Sequence, residues 1–203
     1  RLRRKYKPDD EVASQQFSEY LSIIGRQVDD IGRMVDEFSA FARMPQPVMQ
    51  PLSLRELAIG QVALFEGQGV AIKASLGDKN MPAMVIGDAG LLRQALTNII
   101  QNAMDSLGGA GLEKPRIDLQ LTPHEGVFKL AVADNGPGFP DIDRARLVEP
   151  YVTKRDKGTG LGLAIVSKIV QDHGGELELQ DAKGGGARVV INLPQYDESE
   201  GAS

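Results

Sequence analysis

The chain has 203 residues, 23 of them Lys or Arg and 28 Asp or Glu, and a formal charge of −5 excludes broad nucleic-acid affinity, which needs a basic surface to neutralise phosphates. Hydrophobic residues at 41% and charged ones at 25% are ordinary for a globular protein with a core and exclude disorder throughout. With no cysteine and only His124 and His173, disulfides, thiolate metal sites and cysteine nucleophiles are excluded, and no apolar run approaches the roughly 20 residues that span a bilayer.

Residues 1–7 carry five basic side chains and stop at Pro8, which suits the last turn of a helix and suits a disordered basic tail equally well. The chain starts without a methionine inside this stretch, so it is expected to be a piece of a longer protein. Asp9, Asp10 and Glu11 supply a cap and favourable charge for a new helix. Along it Phe17, Leu21, Ile24, Val28, Ile31, Val35, Phe38 and Ala42 recur at alternating spacings of 4 and 3, an unbroken heptad seam. A seam of this kind is buried against another helix: the one ending at Lys7, a second copy of the chain, or both. The plainer alternative is a long surface helix packed on its own domain.

Three prolines in Met44-Pro45-Gln46-Pro47-Val48-Met49-Gln50-Pro51 end that helix, and 45–52 reads as a short stiff linker. Ser53-Leu54-Arg55-Glu56 matches a capping box opening a helix through about residue 66. Short strands are predicted over 70–76 and 83–86, then a helix over 89–107, capped by Asp88 and closed by Gly108-Gly109. Strands follow over 116–122 and 127–134, then a long polar loop over 135–158, a helix over 161–173, and strands over 176–180 and 187–193 joined by Lys183-Gly184-Gly185-Gly186. Residues 195–203 read as a disordered tail. The predicted class is α+β, with mostly antiparallel strands and no internal repeats.

Three stretches have chemistry in them. Asn98 and Asn102, four apart on the 89–107 helix, project from one face, and a neutral amide oxygen is a suitable hard ligand for Mg²⁺; asparagines on an exposed helix face are nevertheless common. Asp134-Asn135-Gly136-Pro137-Gly138 ends an apolar strand, where a carboxylate can accept from an exocyclic amine such as that of adenine, although the same residues make a good turn. Gly158-Thr159-Gly160-Leu161-Gly162-Leu163 runs into a helix, and backbone N–H groups at a glycine-rich helix start attract phosphate. It lacks the preceding strand of a dinucleotide fingerprint. Just before it, Thr153, Lys154 and Arg155 place a hydroxyl and two cations, which are otherwise ordinary solvated loop residues.

In order and spacing, Asn98-Ile99-Ile100-Gln101-Asn102-Ala103, Asp134-Asn135-Gly136-Pro137-Gly138, Glu149-Pro150-Tyr151-Val152-Thr153-Lys154, Gly158-Thr159-Gly160-Leu161-Gly162-Leu163 and Gly184-Gly185-Gly186-Ala187-Arg188 resemble the successive nucleotide boxes of sensor histidine kinases of two-component systems, within the GHKL superfamily. The resemblance covers 53–194, and the heptad helix extends it to the N-terminus. His173-Gly174-Gly175 and Phe41-Ala42-Arg43 look most like the nitrogen-regulation branch, NtrB and NtrY. The resemblance implies a Bergerat-type two-layer α/β sandwich binding ATP with Mg²⁺ under a lid at roughly 139–159. It implies Asn102 as Mg²⁺ ligand supported by Asn98, Asp134 as the adenine contact with Gly136 and Gly138 closing around the base, and Lys154 steadying the phosphates framed by Gly158, Gly160 and Gly162. Asp105, Tyr151, Thr153, Thr159, Leu161 and Leu163 complete the implied ATP-binding set. His173 is assigned to a helix end as a structural residue, and His124 to an exposed turn.

These kinases phosphorylate a histidine in a motif resembling His-Glu-x-x-Asn/Thr-Pro on the first helix of a dimeric hairpin, and no such motif occurs here. On this reading 1–44 is part of that hairpin, 45–52 the linker and 53–194 the catalytic domain; the acceptor lies before Arg1 and the chain does not phosphorylate itself. The implied partners are a response-regulator receiver domain and, through the hairpin, a second copy. No nucleic acid is expected, and any membrane attachment belongs to parent segments outside a cytoplasmic catalytic part. Two alternatives stand beside it: an ATP-hydrolysing machine related to Hsp90, MutL and gyrase, and a nucleotide-binding or dimerisation module without catalysis. The hydrolases carry a glutamate as general base four residues before the Mg²⁺-binding asparagine, where this chain has Asn98, which takes no proton near neutral pH.

Overall fold

Helix α1, Glu11–Ala42, realises the heptad spacing in a computed structural model that describes residues 11–42, 44–78, 83–152 and 159–196. The chain divides into two units, Arg1–Met44 and Pro45–Ser203. In the first, Ile24, Val28, Ile31, Val35 and Phe38 are exposed along one stripe of α1. A continuous apolar stripe on a long helix is a surface for another helix.

The second unit begins earlier than the sequence suggests. The end of the proline-rich stretch is not a bare linker: β1 (Gln50–Ser53) pairs antiparallel with β3 (Met84–Gly87), Gln50 opposite Gly87. Pro51 fits because a two-stranded ribbon has free edges where its missing N–H costs nothing. Ser53 accepts the Glu56 N–H at 3.3 Å and caps α2 (Leu54–Phe65), which turns Leu54, Leu57, Ala58 and Phe65 inward.

Strands β2 (Ala71–Ser75), β4 (Arg116–His124), β5 (Val127–Asp134), β6 (Glu176–Asp181) and β7 (Ala187–Pro194) form a sheet in the order β2-β4-β5-β7-β6. Pairing is antiparallel except between β2 and β4, which run parallel because the chain crosses over through a helix between them. Glu125 and Gly126, both at positive φ, make the two-residue turn joining β4 to β5.

Helices α2, α3 (Ala89–Gly108) and α4 (Gly162–Asp172) cover the sheet face onto which Ile117, Leu119, Leu121, Leu130, Val132, Val189, Ile191 and Leu193 alternate. Leu96, Ile99 and Ile100 of α3 and Val166, Ile169 and Val170 of α4 complete this core, each contributing about 1.5–3 kcal/mol when fully buried. The architecture is the α+β, helices-on-mixed-sheet arrangement expected from the sequence.

Two further expectations change. The stretch after β5 is not irregular throughout: Asp143 caps a 3₁₀ turn, Arg144–Val148, whose Leu147 is buried. Arg144 lies over the Phe139 ring at 4.7 Å and donates from Nη2 to Asp181 Oδ1 at 2.7 Å, fastening this stretch to β6. Residues 195 and 196 do not belong to a disordered tail, since the Gln195 N–H donates to Gly126 O and the Tyr196 N–H to Met84 O, both at 2.9 Å.

Candidate functional site

The end of β5 leads directly into the Asn-Gly-Pro-Gly turn, so Asp134 is the last strand residue and its side chain lies on the helix-covered face of the sheet. It is buried, at 7% exposure. Its Oδ1 accepts the Gly136 N–H at 2.8 Å and the Ala187 N–H at 3.3 Å, while Oδ2 has no hydrogen-bond partner among the described residues. One carboxylate oxygen is therefore fixed by backbone donors and the other is left to accept.

Glycines make this arrangement possible. At Gly186, φ is +98° and an added Cβ would collide with the Asp134 carbonyl oxygen, so only glycine lets the β6–β7 turn close onto β5. An added Cβ at Gly136 would stand 3.1 Å from Ser106 Oγ and 3.0 Å from Asp134 Oδ1. Asn135 is structural: its Oδ1 accepts the Arg116 N–H at 2.8 Å and its Nδ2 donates to Lys114 O at 2.9 Å. Gly186 and Ala187 belong to the glycine-rich stretch 184–188, whose resemblance carries no individual role for them, and Ser106 has no signal in the sequence.

The second cluster joins α3 to the start of α4. Asn98 and Asn102 lie one turn apart on α3, and Asn102 meets Gly162, where a Cβ would come within 3.3 Å of Nδ2 and 3.7 Å of Oδ1. Among the described residues no side chain caps the N-terminus of α4, whose preceding residue Leu161 is fully buried and donates its N–H to Thr159 Oγ1 at 3.3 Å. A carboxamide thus sits beside a helix start, a place that attracts anions. The Tyr151 N–H donates to Gly160 O at 3.1 Å, and a Cβ at Gly160 would fall 2.6 Å from the Tyr151 carbonyl carbon. Tyr151 itself has φ of 68°, uncommon for a bulky residue. Leu163 follows Gly162 half-buried in the first turn of α4.

Asp105 is exposed, and its Oδ1 accepts from Gln101 Nε2 at 2.7 Å. Gly138 approaches the Gly186 backbone, a Cβ there standing 3.3 Å from Gly186 O. Thr153, Lys154 and Gly158 lie outside the described residues. His173 is buried at the end of α4: Nδ1 bonds Ile169 O at 2.7 Å and Nε2 accepts the Asp88 N–H at 2.9 Å, which fixes the proton on Nδ1 and engages both nitrogens. His124 is exposed at the end of β4.

Asp88 has its carboxyl held below the usual carboxylate range, first by the Val48 N–H and then by the N–H of Leu91, with Gly90 adding to the effect and burial opposing it. Among the described residues no group of three His, Cys, Asp or Glu is placed to hold a metal, and no helix is long and apolar enough to cross a membrane.

Residues 87–197 match the family described as "Histidine kinase-, DNA gyrase B-, and HSP90-like ATPase". The nitrogen regulation protein NtrY of Azorhizobium caulinodans is 42% identical over 200 residues, 95% of this chain and 25% of that protein. The C4-dicarboxylate transport sensor protein DctB of Rhizobium meliloti is 33% identical over 180 residues, 87% of this chain and 28% of that protein. The chain therefore spans about a quarter of the length of these curated relatives. Among solved structures, the mycobacterial sensor histidine kinase MprB superposes with a TM-score of 0.63 at 28% identity, covering 73% of this chain and 98% of that one. Full-length ShkA in complex with AMPPNP gives 0.69 at 26% identity, covering 88% and 38%. The chain belongs to the histidine kinase, DNA gyrase B and HSP90-like ATPase family, with sensor histidine kinases of the NtrY type as its relatives.

Proposed function

We propose that the unit Pro45–Ser203 is the ATP-binding catalytic part of a two-component sensor histidine kinase. It donates the γ-phosphoryl group of ATP to a histidine outside this chain, for relay to an aspartate of a response-regulator receiver domain. The observation that carries the reading is Asp134: Gly136 and Ala187 pin one oxygen and leave the other to accept from the adenine amino group. The solved relative bound to AMPPNP supports an adenine nucleotide as ligand. Phosphates would run toward Gly160 and Gly162 at the start of α4.

Mg²⁺ fits the residues present. Asn102 brings a carboxamide beside Gly162, with Asn98 one turn away, and its neutral oxygen suits Mg²⁺, which prefers one or two protein oxygens with the rest from phosphate and water. Bound there, it would neutralise charge developing on the transferred group. The protein's own part is positioning: the α3 carboxamides and the α4 N–H groups hold the phosphates in line, and Lys154 steadies their charge.

Asn98 favours transfer over hydrolysis, since an amide cannot activate water by removing its proton. The acceptor is not His173, whose nitrogens are both engaged. The exposed stripe on α1 supports dimerisation through a helical hairpin, with 1–44 as part of that hairpin. The nitrogen-regulation name among the relatives supports a nitrogen-regulating parent, and a cytoplasmic catalytic part goes with that reading, any membrane attachment belonging to other parent segments.

Equilibrium binding of Mg-ATP tests the assignment. Removing a buried carboxylate acceptor costs about 1.5–3 kcal/mol, so Asp134→Ala weakens binding about tenfold or more. Equal affinity, or no binding by either protein, overturns it. Incubation with γ-labelled ATP leaves this chain without acid-labile label; stoichiometric label would mean that the acceptor lies within it.

A further inference from the structure

We infer that His173, with Asp88, is a positioning residue that ties the segment ahead of β1 to the two helices of the nucleotide site, so that Val48 sets the spacing between Asn102 and Gly162. The consequence for ATP rests on the reading of that site given above; the mechanical link does not.

Three backbone segments converge on this pair. The Val48 N–H donates to Asp88 Oδ2 at 3.0 Å. The other oxygen, Oδ1, accepts from Gly90 at 2.8 Å and Leu91 at 3.0 Å and so caps α3. The Asp88 N–H donates to His173 Nε2 at 2.9 Å, and His173 Nδ1 donates to Ile169 O at 2.7 Å in the last turn of α4. The path from Val48 to α4 therefore has no missing bond. It depends on neutral imidazole with its proton on Nδ1, because Nε2 must accept.

The approach is close by necessity. An added Cβ at Gly87 would fall 2.8 Å from His173 Cδ2 and 2.9 Å from Leu92 Cδ1, so glycine admits the ring to the end of β3. Val48 is held differently. The residue is 64% exposed, and an open cleft of about 310 Å³ lined by Val48, Gln50, Gly87 and Asp88 lies beside it. The hydrogen bond to Asp88 fixes it where packing does not.

Helices α3 and α4 are thus joined at two places, running antiparallel. At one, the start of α3 meets the end of α4 through Asp88 and His173; at the other, Asn102 meets Gly162. About 20 Å of helix separates Asp88 from Asn102 at 1.5 Å per residue. A helix pair packed through Ile99, Ile100, Val166 and Ile169 is stiff, so a pull at Val48 shifts one helix against the other at the nucleotide end.

The test uses the full chain and deletes one N–H. Val48→Pro removes the donor at an exposed position that already follows a proline, while Val48→Ala keeps it. In ¹H–¹⁵N spectra without nucleotide, Val48→Pro shifts the amides of Asp88, Gly90 and Leu91 and also those of Gly162 and the Asn102 side chain; Val48→Ala moves none of these. His173→Leu reproduces the shifts at Asn102 and Gly162, and His173→Gln, whose amide oxygen can take the Asp88 N–H, restores them. Mg-ATP affinity falls about three- to tenfold in Val48→Pro, the scale of one lost hydrogen bond. Shifts confined to Asp88, Gly90 and Leu91, with Asn102 and Gly162 as in the parent, overturn the link. Failure of the parent to bind Mg-ATP overturns the nucleotide reading instead, and the spectra still decide the coupling.

Discussion

Helices α1 and α3 both carry regular apolar spacing, yet they meet different fates. In α3 the periodic residues Leu92, Leu96, Ile99 and Ala103 are buried in the core, and Asn98 and Asn102 are half-buried. In α1 the equally regular Ile24, Val28, Ile31 and Val35 stay exposed. Periodicity announces a face that has to be covered, and says nothing of what covers it. For α3 the cover is the sheet and the neighbouring helices of its own unit; on α1 the stripe stands exposed.

Stability measurements can break or sharpen that contrast. Leu96→Ala, at a fully buried position of α3, lowers the unfolding free energy by about 2–5 kcal/mol in urea titrations; a loss below that range would show that α3 is not what the core rests on. Asn102→Ala, on the same helix, weakens Mg²⁺-dependent nucleotide binding far more than His173→Ala does, and comparable losses would reverse that ranking. Asp88 links stability to pH. Its folded pKa is depressed, so its contribution is complete above the usual carboxylate range and disappears as pH falls through that range and past the folded value. The stability gap between the parent and Asp88→Asn is therefore widest near neutrality and narrows below about pH 4; a gap constant with pH would remove the ionic part of this account. The smallest effect is expected on α1, where Val28→Ala changes unfolding at low protein concentration by no more than about 0.5 kcal/mol. A larger loss would mean that the seam is already packed.

What the sequence makes legible is local. The Ser53 and Asp88 caps, the apolar face of α3, the alternation of β5 and Gly160 and Gly162 at the start of α4 each follow from neighbours a few residues away, and the structure places these where the spacing predicts. Contacts between distant residues are not written in spacing. Prolines 45, 47 and 51 look like a linker, yet β1 exists because β3 supplies its partner more than thirty residues later. The parallel pairing of β2 with β4 depends on the crossover between them. Gly186 reads as one glycine among three until its approach to the Asp134 carbonyl is seen, and His173 meets Asp88 across 85 residues.

The two outer strands of the sheet have a bearing on solution behaviour. An unpaired strand edge is a template on which another copy can zip. Here one border is β6, whose Glu176, Glu178 and Asp181 would be brought against the same carboxylates in any β6-to-β6 union, and the other is β2, only five residues long with Lys73 at its centre. Like-charge repulsion on one side and brevity on the other discourage edge-to-edge aggregation near neutral pH, and the first of these protections fades in acid.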